Sequence, residues 1–156
     1  MCEAILVPID GSRSSDAGLA CALRLAGAMK ARLVLLNVID VEPLFLQTAG
    51  DFQEHRQSLR DYGQELLAKA ALEAQRQGVQ VSFFMHETVE SNASSIIVAQ
   101  AVAQHCGLIV LGTHGRRNPS KLLLGGDAQL VLRDSAVPVL FVRSIPPHEA
   151  SPRSTR

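Results

Sequence analysis

An α/β fold, an open doubly wound sheet of five parallel strands covered by four helices, is what this 156-residue chain predicts. Three observations carry that expectation. Short apolar runs of strand type alternate with longer helical patterns from one end to the other, which is the signature of β-α-β units. Four of the five runs are apolar almost throughout, as strands buried on both faces must be. The polar and glycine-rich segments capable of chemistry fall where runs end, which in such a sheet is the ligand-binding edge.

The first strand is expected over Ala4–Ile9. A helix from about Arg13 to Met29 follows, with Ser12, Ser14 and Ser15 as candidate N-caps; Ala17, Ala20, Cys21, Leu23 and Leu25 give it a broad apolar surface of small residues suited to close packing. The second strand, Arg32–Val38, leads into Asp40–Asp51, where Pro43, Leu44, Phe45 and Leu46 either fold back on the sheet or form a lid or partner contact. The second helix, Phe52–Gln77, carries Leu59, Tyr62, Leu66 and Ala70 on one stripe and stops before Gly78, a candidate left-handed C-cap. The third strand, Val79–Glu87, is different: Val81, Phe83 and Met85 alternate with Gln80, Ser82 and His86, interrupted by Phe84, which places it at or near a sheet edge. The third helix starts near Asn92 and carries Ile96, Ile97, Ala99 and Val102, with Gly107 after its end. Leu108–Leu111 is the fourth strand; a helix from the pair Gly125-Gly126 carries Leu130, Val131 and Leu132 before the fifth strand, Pro138–Val142. From Ser144 onward, Pro146, Pro147, Pro152 and polar residues show no periodicity, so residues 1–143 are expected to form a single domain and 144–156 a disordered tail.

Lysine plus arginine equals aspartate plus glutamate at 15 each, so no global field draws in nucleic acid or an anionic membrane and any anion binding must be local. The three cysteines, Cys2, Cys21 and Cys106, are odd in number, widely spaced and free of any CxxC pair, which argues against a disulfide framework or a zinc site. Cys21 and Cys106 read as small core residues. With no leader-like start and no apolar run of membrane-spanning length, a soluble cytoplasmic protein is expected.

The candidate site begins at Gly112-Thr113-His114-Gly115, directly after the fourth strand, and continues after nine intervening residues with Gly125-Gly126 at the start of a helix. Glycine has no Cβ to hold a ligand away from the main chain, and a helix N-terminus offers unpaired N–H groups with roughly half a positive charge, a combination that favours phosphate. Asp10, in the segment VPIDGS after Pro8 and Ile9, suits ribose hydroxyls, a base edge or a phosphate-held metal; alternatively it is an acid that complements the following helix. Val38, closing the second strand, could offer its main-chain N–H and C=O to a base. Arg116, Arg117 and Lys121 lie between the glycines, either on phosphate or in a solvated loop. His114 has no nucleophile or assigned base beside it, so its backbone is the useful part; His55, His86 and His105 show no ligand spacing. GxxxxGK[S/T] and a GxGxxG after the first strand are both missing. A phosphoreceiver domain would need an aspartate after strand three and a lysine after strand five, where this chain has His86-Glu87 and Arg143.

From ILVPIDGS through LLNVID to LIVLGTHGRR, LLLGG and VPVLFV, the sequence resembles the universal stress protein family over nearly its whole length. In the ATP-binding branch the pattern is G-x2-G-x9-G followed by serine or threonine, and Gly112, Gly115 and Gly125 stand at those glycine positions. The resemblance implies a sheet in the order 3-2-1-4-5 of the adenine nucleotide alpha hydrolase-like type. It implies Gly112 and Gly115 against ribose and phosphate, Gly125 against the phosphates, Asp10 beside the nucleoside and Val38 reading adenine through its main chain. Pro8, Ile9, Thr113, His114, Arg116, Gly126, Asp127 and Ala128 complete the expected binding set around ATP, ADP or AMP with Mg2+.

Two residues depart from the pattern. Gly126 replaces the serine or threonine, removing a hydroxyl whose bond to phosphate is worth about 1 kcal/mol, or several-fold in affinity. Asp127 puts a carboxylate in the first turn of helix four, where it either repels phosphate or, turned away, satisfies the helix dipole. The expected function is nucleotide binding as a regulatory signal rather than turnover, in a homodimer paired through the last strand PVLFV, unless the tail covers that edge. Two alternatives stand beside it: a stress-response interaction protein with no nucleotide function, and a slow ATP hydrolase, for which no general base is positioned.

Overall fold

Among the described residues nine elements alternate: β1 (Ala4–Pro8), α1 (Arg13–Met29), β2 (Arg32–Asp40), α2 (Ala49–Arg76), β3 (Val81–Thr88), α3 (Ala93–Ala103), β4 (Leu108–Gly112), α4 (Gly126–Asp134) and β5 (Val139–Val142). The computed structural model describes residues 2–41, 48–90, 92–113 and 124–144. The apolar connection Pro43–Leu46, the residues His114 to Lys121 and the tail beyond Ser144 lie outside the described residues.

The strands form one parallel sheet in the order β3-β2-β1-β4-β5. Register runs Ala4↔Arg32 to Pro8↔Leu36 between β1 and β2, and Leu33↔Val81 to Asp40↔Thr88 between β2 and β3. Alternation of side chains along each strand divides the core in two. Ile5, Val7, Leu33, Leu35 and Val110 pack under α1 and α2, against Ala22, Ala26, Leu67, Ala70 and Ala74. Ala4, Leu6, Val34, Leu36, Ile109 and Leu111 face the other way, against Ile97, Ala101, Ala128 and Val131 of α3 and α4. Each of the fully buried aliphatic side chains contributes roughly 1.5–3 kcal/mol.

The sequence placed the elements well and their buried faces less well. Only Ser12 caps α1, accepting from the Ser15 amide at 3.1 Å, while Ser14 and Ser15 are buried inside the first turn. The sheet-facing stripe of α1 is Ser15, Gly18, Ala22 and Ala26, and Ala20 is exposed. On α3 the buried stripe is Ser94, Ile97, Gln100 and Ala101, leaving Ala99 and Val102 in solvent. On α4 Ala128 and Val131 are buried whereas Leu132 is exposed. Leu23, Ile97 and Val131 are buried as expected, and the rest of each contact is made by small or polar residues that let the helix lie close to the sheet, where apolarity alone does not reveal the phase. Gly78 has the expected left-handed φ of 71° after α2. β3 is an edge strand as expected, and its interrupted alternation has a simple cause: Val81 and Met85 pack toward α2, Phe84 toward α3, and Phe83 is 56 % exposed.

Candidate functional site

Between β1 and β4 the direction of winding reverses, since α1 leaves toward one face and α4 toward the other. A crevice beyond the carboxyl ends of those strands follows from that topology. A cleft of about 760 Å³ lies there, within the range that small-molecule sites occupy. Pro8, Ile9 and Asp10 enter it from β1, Val38 and Asp40 from β2, Leu59 and Tyr62 from α2, Ile97 from α3, Leu111 and Gly112 from β4, and Gly125, Gly126, Asp127 and Ala128 from the start of α4. A shallower depression of about 590 Å³ around Arg32, Gln75, Gln80 and Gln104 sits at the amino-terminal end of β2 and β3, away from the switch point.

The Asp10 turn is tightly organised. Asp10 Oδ1 accepts from the Ser12 amide at 2.8 Å, the Asp10 amide donates to Ser15 Oγ at 3.1 Å, and Gly11 between them has φ 82°. Asp10 thus serves the entrance of α1 and lines the cleft as well.

The main chain at Val38 faces the cleft for a reason visible in the register. Leu36 accepts from Ile9 and Arg32 donates to Glu3, so even-numbered residues of β2 turn their main chain toward β1; Leu33 donates to Gln80 and Val41 to Thr88, so odd-numbered ones turn toward β3. Pairing with β1 stops at Pro8↔Leu36. The next even residue is Val38, whose N–H and C=O therefore point into the gap that β1 has vacated. Beside that gap Asn37 is 5 % exposed, and its Nδ2 donates to the Ile9 carbonyl at 2.7 Å.

At the other end of the cleft α4 begins with Gly125 as N-cap and no side-chain capping bond, whereas α1 and α2 are capped by Ser12 and Thr48. A helix start without a side-chain cap leaves N–H groups for a ligand or water. One amide of the expected cradle is already committed, because Gly125 donates to the Thr113 carbonyl at 2.8 Å. The Gly125 carbonyl in turn accepts from Gln129 at 3.0 Å, seating the first turn. A Cβ at Gly126 would meet nothing within 4 Å, so space exists where the missing hydroxyl would stand.

Two expected ligand contacts have structural work of their own. A Cβ at Gly112 would meet the Ser14 main chain at 2.6 Å, so this glycine lets β4 approach α1 closely even though it also lines the cleft. Thr113 is buried, with Oγ1 3.5 Å from Ser14 Oγ, so its side chain is turned to α1. His114, Gly115 and Arg116 fall outside the described residues. Among the described residues no group of three or more His, Cys, Asp or Glu side chains is disposed to hold a metal, and His86 instead lies 3.1 Å from Gln100 Oε1.

Residues that sequence reasoning left in the packing or passed over also reach the cleft: Ser12, Ser15, Asn37, Asp40, Leu59, Tyr62, Ala93 and Ile97. A buried asparagine in an otherwise apolar strand was the available signal for Asn37, and the sole tyrosine of the chain for Tyr62. On α2 beyond the cleft, Arg56 and Arg60 both bond Glu87 at the end of β3. The Arg56 hydrogen bond holds the Glu87 carboxyl below its ordinary range, outweighing the opposing effect of partial burial, and Arg60 adds to it. At the opposite end, burial pushes the Cys106 thiol up to about 11.

The model of the Universal stress protein family matches residues 1–143. Universal stress protein MJ0531 of Methanocaldococcus jannaschii is 33% identical over 140 residues, which is 89% of this chain and 81% of that protein. A crystal structure of a universal stress protein family member from Burkholderia pseudomallei is 30% identical, covers 90% of this chain and 95% of its own, and superposes with a TM-score of 0.73. The same fold at lower identity occurs in an Arabidopsis thaliana family protein solved with AMP bound (15%, TM-score 0.69, 96% of each chain). It occurs also in a universal stress protein solved in complex with cAMP (21%, TM-score 0.65, 92% of this chain and 98% of that one).

Proposed function

Since the chain belongs to the universal stress protein family, we propose that its cleft binds an adenine nucleotide (ATP, ADP or AMP, with Mg2+ on the phosphates) and that occupancy acts as a regulatory signal. The observation that carries this reading is the pairing, in one cleft, of an outward-facing main-chain edge at Val38 with the α4 start that lacks a side-chain cap. Adenine presents one donor and one acceptor side by side, which a strand's N–H and C=O match. Phosphate is matched by the amides that open a helix. Asp10 at the turn between them suits ribose hydroxyls.

Under this proposal Pro8, Ile9, Asp10 and Val38 hold the nucleoside, while Gly112 to Arg116 meet ribose and phosphate and Gly125 to Ala128 the phosphates. The unit is one domain over residues 1–143, cytoplasmic, and paired with a second copy through β5. Hydrolysis ranks behind binding, because the sequence pattern assigns no residue the role of general base. An interaction protein without nucleotide remains the competing reading, and Gly126 and Asp127 favour it.

Thermal unfolding with ATP, ADP, AMP and GTP, with and without magnesium, followed by mass spectrometry of nucleotide retained on purification, separates the two. Ligand at 100 times its dissociation constant adds about 2.7 kcal/mol to stability. A flat midpoint across every nucleotide would favour the interaction protein. Gly115→Val fills the phosphate approach and should abolish binding; normal binding by that variant would mean the site is misplaced.

A further inference from the structure

We propose that Tyr62 is a ligand-contacting residue of the cleft: its ring is the wall on which one face of a flat heteroaromatic base rests while the base edge meets the Val38 main chain. This rests on the adenine-nucleotide reading and adds a specificity-determining residue to it. The placement is built rather than incidental. Tyr62 stands on α2 at the cleft, 37 % exposed despite its size, with Leu59 nearly one turn earlier on the same wall. A Cβ at position 11 would overlap the Tyr62 hydroxyl and come within 3.2 Å of its ring carbon Cζ, so the glycine in the Asp10 turn is what admits the phenol. Its φ of 82° suits glycine as well. Aliphatic Ile97 and Leu111 line the same cleft. A planar base on an aromatic wall beside aliphatic side chains gains stacking on one face and desolvation on both, and alanine substitution at such a stacking wall weakens binding by about fivefold to a hundredfold.

The chain contains one tyrosine and no tryptophan, so its intrinsic emission reports Tyr62 alone. ATP and AMP are titrated into the wild-type protein with excitation on the red edge of the tyrosine band, outside adenine absorption, and binding is followed separately by calorimetry. The expected result is a change of emission that tracks the calorimetric isotherm, with Tyr62→Phe binding within about twofold of wild type and Tyr62→Ala about tenfold or more weaker, which is the lower part of that stacking range. Calorimetric saturation with unchanged emission, or wild-type affinity in a folded Tyr62→Ala, overturns the Tyr62 assignment and leaves the nucleotide reading standing. No calorimetric binding by the wild-type protein overturns both. If Tyr62→Ala does not fold, the wild-type titration decides alone.

Discussion

At Gly126 the absent side chain and the empty space around it make a direct prediction. Gly126→Ser places its Cβ where nothing lies within 4 Å, so the apo fold should tolerate it. A hydroxyl there adds one phosphate bond, expected to tighten nucleotide binding several-fold by calorimetry. Weaker binding would show that the bare main chain matters more than the donor. Cys106 makes a second prediction through its protonation. Buried, with its thiol pushed up to about 11, it stays a thiol at pH 8 and should resist iodoacetamide while half-buried Cys2 reacts, as peptide mass spectrometry would show. Rapid labelling of Cys106 in the folded protein would contradict its burial. These residue-level properties were only partly legible beforehand. The sequence read Cys106 as a core residue, but that Gly112 serves Ser14 as much as a ligand depends on an approach made by a segment about a hundred positions away.

Between elements, the contact of β4 with α1 is made possible by Gly112. Gly112→Ala drives a Cβ into the Ser14 carbonyl at 2.6 Å, where main chain cannot yield as a flexible side chain would. Overpacking of this kind costs about 1–3 kcal/mol, which a shift in urea midpoint without change in slope would report. The ion pairs from Arg56 and Arg60 to Glu87 join α2 to β3 and carry a pH dependence. Because the folded-state Glu87 carboxyl titrates below its ordinary 4.5, its stabilisation is fully present above that value and is lost as pH falls through the lowered one. The pair is part-exposed, so the effect is at most about 1 kcal/mol. Glu87→Gln should remove it, so urea unfolding of the variant and wild type should differ at pH 6 and converge toward pH 3. An unchanged difference across that range would assign the acid sensitivity elsewhere. Element positions were readable from period and turn residues, but the phase of α1 and α3 only in part, because their contact stripes mix Leu23 and Ile97 with serine, glycine, glutamine and alanine.

For the molecule as a whole, β5 is a terminal strand of the sheet, and Leu140 on it is 37 % exposed. A parallel edge strand presents a row of main-chain groups to a second copy, which is the physical basis of the proposed homodimer. Leu140→Arg places a like charge on both sides of such a seam. Light scattering after size exclusion should then show a monomer where the unaltered chain elutes as a dimer. A monomeric wild-type chain would refute the pairing itself.

The sequence by itself determined the number, type and order of the elements, the edge position of β3 and the location of the glycines beyond β4, because each depends on local periodicity, turn chemistry and composition. It also pointed to Asp10 and Val38, since residues after strands in a parallel sheet lie at the ligand-binding edge. Tertiary structure alone decided that Val38 turns its main chain into the gap left by β1, that Asn37 bonds the Ile9 carbonyl beside it, that Tyr62 stands over Gly11 at the cleft and that Gly112 is pressed against Ser14. Those facts follow from strand register and helix phase, which are set by contacts between residues far apart in the chain and are not encoded in any one segment.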